Sequence, residues 1–289
     1  MSSGIVQLVC IGAQDEHIVG DPEISFFNST FKRHSNFSQS IEKQTIHGAV
    51  KNNSLSTIRI ERSGDLLGYT YFVIDNGSQA VDTNSWEDLI ESVQLVIGGQ
   101  VIDEQDSSFC ENIAVDMLAQ NVSKSSNGPH PGGSNSSSFF FPLRFFFCEG
   151  AQSAIPLVAL QYHDVELRIR WGSSAATYNW ECYSNYYYLD NEERGNMASR
   201  SHDMLIYQVQ KNIGSAEHVQ NLNFNHPVKF IASSNNSGSS PLASETNRIK
   251  LSINGVDLTT YRWSRPHFMD VSQYYHTNYV TSPDIFMHP

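Results

Sequence analysis

The 289-residue chain is short of charge: Asp, Glu, Lys and Arg make up 17% of it, against roughly 25% in ordinary soluble domains. Its polar surface must be built from Ser, Asn, Gln and Thr, which suit strands and turns better than exposed helices. Basic residues are the scarcer sign, 18 against 30 acidic, for a net charge of −12. That balance argues against a general nucleic-acid binder, which neutralises phosphates with a Lys/Arg surplus. It argues equally against docking on an anionic membrane. No apolar run approaches ~18 residues, so no membrane insertion is expected. The first ten residues lack a basic leader, Gln7 interrupts their apolar run, and Ser2 stands where N-myristoylation requires glycine. Cytosolic synthesis is the expectation. Cys10, Cys110, Cys148 and Cys182 lie far apart with no C-x-x-C pair, which excludes a zinc knuckle and predicts free, buried thiols.

What is present reads as strands. Residues 41–50, 54–62 and 66–74 are β-branched or aromatic runs punctuated by Ser63-Gly64-Asp65. Residues 93–103 place two short strands around Gly98-Gly99, a pair that tolerates the positive φ of a primed hairpin turn. Ser108-x-x-Glu111 has the form of a capping box, with Phe109, Ile113 and Met117 on one apolar helix face. Residues 121–138 are nearly all Ser, Asn, Gly and Pro, a long exposed loop. The six phenylalanines in Phe139–Phe147 must be buried in a core or against a partner. Val165, Leu167, Ile169 and Trp171 alternate with Glu166, Arg168 and Arg170, the pattern of a half-buried strand. Residues 183–189 continue the strands, 190–204 form a short helix and turn, and 205–210, 222–227, 228–232 and 248–253 resume the strand pattern. Many short strands, one or two helices and long polar loops describe a β-sandwich, with a second one beginning near 190–212.

Reactive chemistry has little support. The 11 histidines are scattered, with no H-x-H or H-E-x-x-H pair. There is no nucleotide-binding glycine motif and no G-x-S-x-G elbow. No catalytic, cofactor-binding or metal-binding residue is assigned, and no cofactor is expected. Among many Asn-x-Ser/Thr sequons, Asn121, Asn135 and Asn235 fall in soft loops and are the candidate glycosylation sites.

Several segments resemble, in order, the major capsid proteins of nucleocytoplasmic large DNA viruses, the phycodnavirus and iridovirus type. They are Gly12-Ala-Gln-Asp15, Gly20-Asp-Pro-Glu-Ile-Ser-Phe-Phe27 and Phe31-Lys-Arg-His34 near the N-terminus. Arg62-Ser-Gly-Asp-Leu66, Val96-Ile-Gly-Gly-Gln-Val-Ile-Asp103 and Phe141-Pro-Leu-Arg-Phe-Phe-Phe147 follow. Ile155-Pro-Leu-Val-Ala-Leu-Gln-Tyr-His163, Leu189–Arg194, Leu222-Asn-Phe-Asn-His-Pro227 and Ile253-Asn-Gly255 complete the series.

The resemblance implies an all-β fold, a tandem (double) jelly-roll sandwich whose second roll is incomplete in this chain. Residues 1–25 would be an N-terminal segment, 26–205 the first jelly roll with its exposed loop 121–138, and 206–289 a partial second roll. It implies a structural, non-enzymatic major capsid protein. Three copies would form a pseudo-hexagonal capsomer, and capsomers would tile an icosahedral shell over minor capsid proteins. Location would be the virion, with assembly in the host cytoplasm. Lys32, Arg33 and His34 would face the inner side. Relatives would carry several more strands beyond the point matching Pro289. Two other readings are a capsid-associated minor or carbohydrate-binding jelly-roll protein, and a β-sandwich hydrolase.

Overall fold

The computed structural model describes all residues except 1–2, 11, 28, 30–31, 76–84, 119–139, 215–217, 235–241, 243, 245 and 277–284. The candidate glycosylation sites Asn121, Asn135 and Asn235, and the loop 121–138, therefore lie outside the described residues. The chain divides into two compact units, Met1–Asn36 and Phe37–Pro289. In the first, short helices cover Ser3–Val9 and Glu16–Val19, and the Asp15 carboxylate accepts from the Gly12 amide at 3.1 Å. No helix among the described residues is long and apolar enough to cross a membrane.

The second unit holds a two-sheet sandwich. One sheet contains β1 (Phe37–Gln44), β4 (Leu66–Asp75), β7 (Phe140–Pro142), β8 (Ile155–Pro156) and β10 (Asn179–Leu189). Its order is β1-β10-β4-β7, with β8 also pairing with β4. The other contains β2 (Ile46–His47), β3 (Leu55–Arg59), β5 (Ile90–Ile97), β6 (Gln100–Asp106) and β9 (Val165–Trp171), ordered β2-β3-β9-β5-β6. Pairing within both sheets is antiparallel. Sequence-distant strands lie side by side, β1 against β10 and β3 against β9, so the chain closes on itself in the jelly-roll manner. The run 41–50, one strand by pattern, is shared between the sheets: it breaks at Thr45, beside the buried Gln44.

The alternation in β9 sets the core. Val165, Leu167, Ile169 and Trp171 are buried. Trp171 stands 4.9 Å from the Trp180 ring and 6.2 Å from Phe72, and Trp86 joins at 6.1 Å from Trp180. The phenylalanine run splits. Phe141, Phe145, Phe146 and Phe147 enter this core, Phe140 stays 36% exposed, and Phe139 lies outside the described residues. The β5–β6 hairpin turns through Gly98 and Gly99 at φ 60° and 82°, as the Gly-Gly pair predicts.

Five local expectations are corrected. Ser108 does not cap a helix: it has helical dihedrals and no side-chain bond, while Asp106 Oδ1 accepts from the Phe109 amide at 2.8 Å. Phe109–Ile113 is a π-turn, closed by Ala114 N–H to Phe109 O, followed by α-helix at Ala114–Met117. The five-residue step buries Phe109 with Ala114 and Cys110 with Val115, leaving Ile113 and Met117 partly exposed. Residues 205–210 form no strand, because their contacts to β6 run through side chains. Residues 222–227 form none either, since the Asn225 amide goes to Gln210 Oε1 at 3.0 Å and the Asn221 carbonyl accepts from Asn212 Nδ2 at 2.7 Å. Residues 248–253 divide into β12 (Arg248–Ile249) and β13 (Ser252–Ile253), because the Thr259 hydroxyl takes the Leu251 amide at 3.3 Å.

The remaining pairs are small. β11 (Ile231–Ser233) pairs with β16 (Phe286–His288), β12 with β15 (Arg262–Trp263), and β13 with β14 (Val256–Asp257). Asn254 and Gly255 turn the last hairpin at φ 50° and 80°. Phe268, Met269, Ile285, Phe286 and Met287 are buried around them, with the Phe268 and Phe286 rings 5.2 Å apart.

Candidate functional site: a clamp built from the sequence motifs

The Arg62–Leu66 turn ties three distant segments together. Asp65, its side chain 4% exposed, receives Arg194 Nε at 2.7 Å on one oxygen and the Leu189 amide at 2.8 Å on the other. Its backbone N–H donates to Tyr187 O, and its carbonyl accepts from the Val158 amide. Arg62 donates to the carbonyls of Gln161 at 3.2 Å and His163 at 3.1 Å. Gly64 is required by proximity: a Cβ there would lie 2.7 Å from Tyr186 Cβ, and the buried Tyr186 donates its hydroxyl to Glu61 O at 2.6 Å. Asp190 Oδ1 accepts from the Asn191 amide at the start of the helix Asn191–Ser199. The 62–66, 155–163 and 189–194 motifs are thus one clamp.

A second tie joins β6 to the following segment. Asp103, 4% exposed, accepts from the Val209 amide at 2.9 Å and from Gln105 Nε2 at 2.8 Å. Burial pushes its carboxyl above the usual range, against the pull of those donors. Lys211 pairs with Asp106, and Gln208 Nε2 donates to Ile102 O. The free edge of β6 is covered by side-chain contacts.

The third buried carboxylate is Glu111. It accepts from the Trp86 amide at 2.8 Å and the Ser85 hydroxyl at 2.9 Å, and burial raises its pKa to about 7. The folded state therefore holds this proton more tightly than the unfolded chain. The group's contribution is most favourable below its ordinary pKa of 4.5 and is lost as pH rises through about 7. Glu111→Gln retains an acceptor for the Trp86 amide without the charge. We expect the urea-derived unfolding free energy of the variant to exceed wild type at pH 8 by about 1–2 kcal/mol, and to match or fall below it at pH 5. Equal shifts at both pH values would refute the assignment.

The predicted thiols are free, and Cys10 is exposed rather than buried. Burial raises the Cys110, Cys148 and Cys182 thiols, Cys148 to about 12, so these are packing groups. Among the described residues no three His, Cys, Asp or Glu side chains gather as a metal site. His163 packs under the Gly98 turn, and Asp164 pairs with Arg59. Asp164 lines an open cleft of about 630 Å³ together with His47, Arg59, Arg62 and Tyr162. Pattern alone missed Asp65, Asp103 and Glu111 as tie points. Their burial was the missing signal, since each partner is distant in sequence.

The charged residues of these motifs are spent on the sandwich itself: Arg62 and Asp65 bind its backbone, and Arg194 pairs with Asp65. Residues 25–190 match the family model for the major capsid protein N-terminus. The chain is 33% identical over 303 residues to the major capsid protein of Pyramimonas orientalis virus, covering 96% of this chain and 76% of that protein. It is 32% identical over 266 residues to the major capsid protein of Paramecium bursaria Chlorella virus 1, covering 80% of this chain but only 60% of that one. Among solved structures it superimposes on PBCV-1 VP54, fitted into a reconstruction of the virophage Sputnik. That match has TM-score 0.71 at 23% identity over 91% of this chain and 80% of that one. It also superimposes on the Faustovirus major capsid protein, with TM-score 0.65 at 10% identity over 96% and 85%. The chain belongs to the major capsid protein family of large DNA viruses, its fold is the tandem jelly roll with a partial second roll, and its place is the virion capsid.

Proposed function

We propose that this chain is a non-enzymatic shell subunit that assembles as a homotrimer. Each trimer is a pseudo-hexagonal capsomer, and capsomers tile an icosahedral shell with one another and with minor capsid proteins beneath. Assembly takes place in the host cytoplasm. Residues 1–25 serve as an N-terminal segment, 26–205 as the first roll and 206–289 as part of the second. Glycans, where added, sit at Asn121, Asn135 and Asn235. The observation that carries this reading is the clamp: Arg62 and Asp65 bind the backbone of the Ile155–His163 and Leu189–Arg194 segments, and Arg194 pairs with Asp65. A complete first roll and a second, partial roll in each chain place six roll units in a trimer, which suits hexagonal packing.

The test is solution mass. Light scattering at micromolar concentration is expected to return three times the 32.5 kDa of one chain. A single-chain mass throughout that range would overturn the capsomer reading.

A further inference from the structure

We propose that the outward face of the β1-β10-β4-β7 sheet is the docking surface for a second copy of this chain. The proposal rests on the capsomer reading and locates its contact.

The two outward faces of the sandwich differ in chemistry. On the β3-β9-β5-β6 side, Arg59 pairs with Asp164, Arg168 with Glu166 at 3.5 Å and Arg170 with Glu91 at 3.4 Å, and Gln94 donates to Glu104 at 3.0 Å. That is an ordinary solvated sheet face. The opposite face carries rings. Tyr71 stacks on Tyr69 at 6.3 Å and on Tyr183 at 5.7 Å, and meets Phe140 edge-on at 6.3 Å. Tyr69 is 41% and Phe140 36% exposed.

Strand β1 extends this face and adds apolar residues to it. Ser40, Glu42 and Gln44 lie opposite Tyr186, Ser184 and Cys182, which face the core. Directly opposed residues share a face, so Ile41 and Lys43, opposite Asn185 and Tyr183, stand on the outer side, with Gln39 and Phe37 following on the same side. Phe37 and Ile41 are 61% and 49% exposed. An edge strand that leaves two large apolar residues uncovered on the outer side is arranged for a neighbour beyond the sheet.

Two observations identify that neighbour as another copy. The chain's own continuation is tied to the opposite sheet: Gln208, Val209 and Lys211 bind β6, not this face. And copies of a chain carrying −12 repel one another wherever unpaired acid meets acid. Among the described side chains of this face the charges are Lys43 and Glu181, paired with each other, and Tyr183 donates its hydroxyl to the same Glu181 at 2.7 Å. Around Tyr71 the face is aromatic with its described charges paired, the composition of an interface centre.

The experiment compares wild type with Tyr71→Arg, Tyr69→Lys and, on the other face, Arg168→Glu. Mass is read by light scattering and folding by thermal melt. A ring of three repeats one contact, so each substitution enters every interface. Tyr71→Arg and Tyr69→Lys are expected to weaken self-association at least about thirtyfold, the scale of a lost interface anchor, with melts within a few degrees of the isolated wild-type chain. Arg168→Glu should remain associated. A trimeric wild type whose Tyr71 and Tyr69 variants are also trimeric would overturn this face while leaving the capsomer reading intact. A monomeric wild type would overturn both. A glycan retained on an array by wild type and lost in Tyr71→Arg, with mass unchanged, would overturn the proposal in favour of a sugar platform.

Discussion

Gly172→Ala is expected to leave most of the chain unfolded or aggregated on expression. Gly172 ends β9 directly after Trp171, and its N–H donates to Leu89 O at 2.9 Å while its carbonyl accepts from the Asn53 amide at 3.0 Å. A Cβ there would lie 2.3 Å from Asp88 C and 2.4 Å from the carbonyl oxygens of Asp88 and Glu87. The obstructing atoms are backbone, so no rotamer change relieves them. The turn that carries them, Trp86–Asp88, cannot withdraw, because Trp86 and Leu89 on either side are fully buried. Ordinary overpacking costs about 1–3 kcal/mol. A backbone collision with a turn anchored by two fully buried residues belongs above that, at about 3–5 kcal/mol, a large share of the 5–15 kcal/mol that holds a domain folded. Gly150→Ala is the control, since nothing lies within 4 Å of its added Cβ. It should melt within about 0.5 kcal/mol of wild type. A Gly172→Ala protein with a wild-type urea midpoint would show that the turn yields.

The contrast between these glycines marks what sequence reading could reach. Gly98-Gly99 and Asn254-Gly255 announce themselves, because turn chemistry is local and both pairs adopt the positive φ that it demands. The alternation of β9 is equally local, and its four inward residues are the buried ones. Gly172 has no such signature, since its constraint comes from Glu87 and Asp88, far away in sequence. Ser108 shows the same limit from the other side. Its capping-box spacing is real, yet Asp106 takes the amide and Glu111 is drawn to Trp86 and Ser85. Residues 205–210 alternate like a strand, but the buried Asp103 carboxylate claims the Val209 amide, so no ladder forms. As for the clamp, resemblance identified its segments, and the chain gave no hint that Asp65 and Arg194 meet, because burial of a carboxylate has no sequence period.

Asp65→Ala is the second large effect, expected at about 2–4 kcal/mol. The carboxylate supports a half-exposed partner and a partly buried one, and their losses differ. Arg194, 55% exposed, regains water when its acceptor is removed. The Leu189 amide sits at the end of β10 in part-buried surroundings and loses its 2.8 Å acceptor with less access to solvent. Most of the cost therefore lies at the strand end. Asp65→Asn keeps an oxygen for that amide and is expected to lose only about 1–2 kcal/mol. Arg194→Ala leaves a nearly buried carboxylate without its cation, and the double variant should be less damaged than the sum of the single ones by about 1–2 kcal/mol. Amide exchange gives a second reading. With Asp65→Ala, the helix Asn191–Ser199 should exchange faster while β9 stays protected, because the clamp is what holds that helix against the end of the sandwich. Additive single-variant losses with unchanged exchange in the helix would mean that the ion pair is ornamental, and that the sandwich end is held by Arg62 and Tyr186 alone.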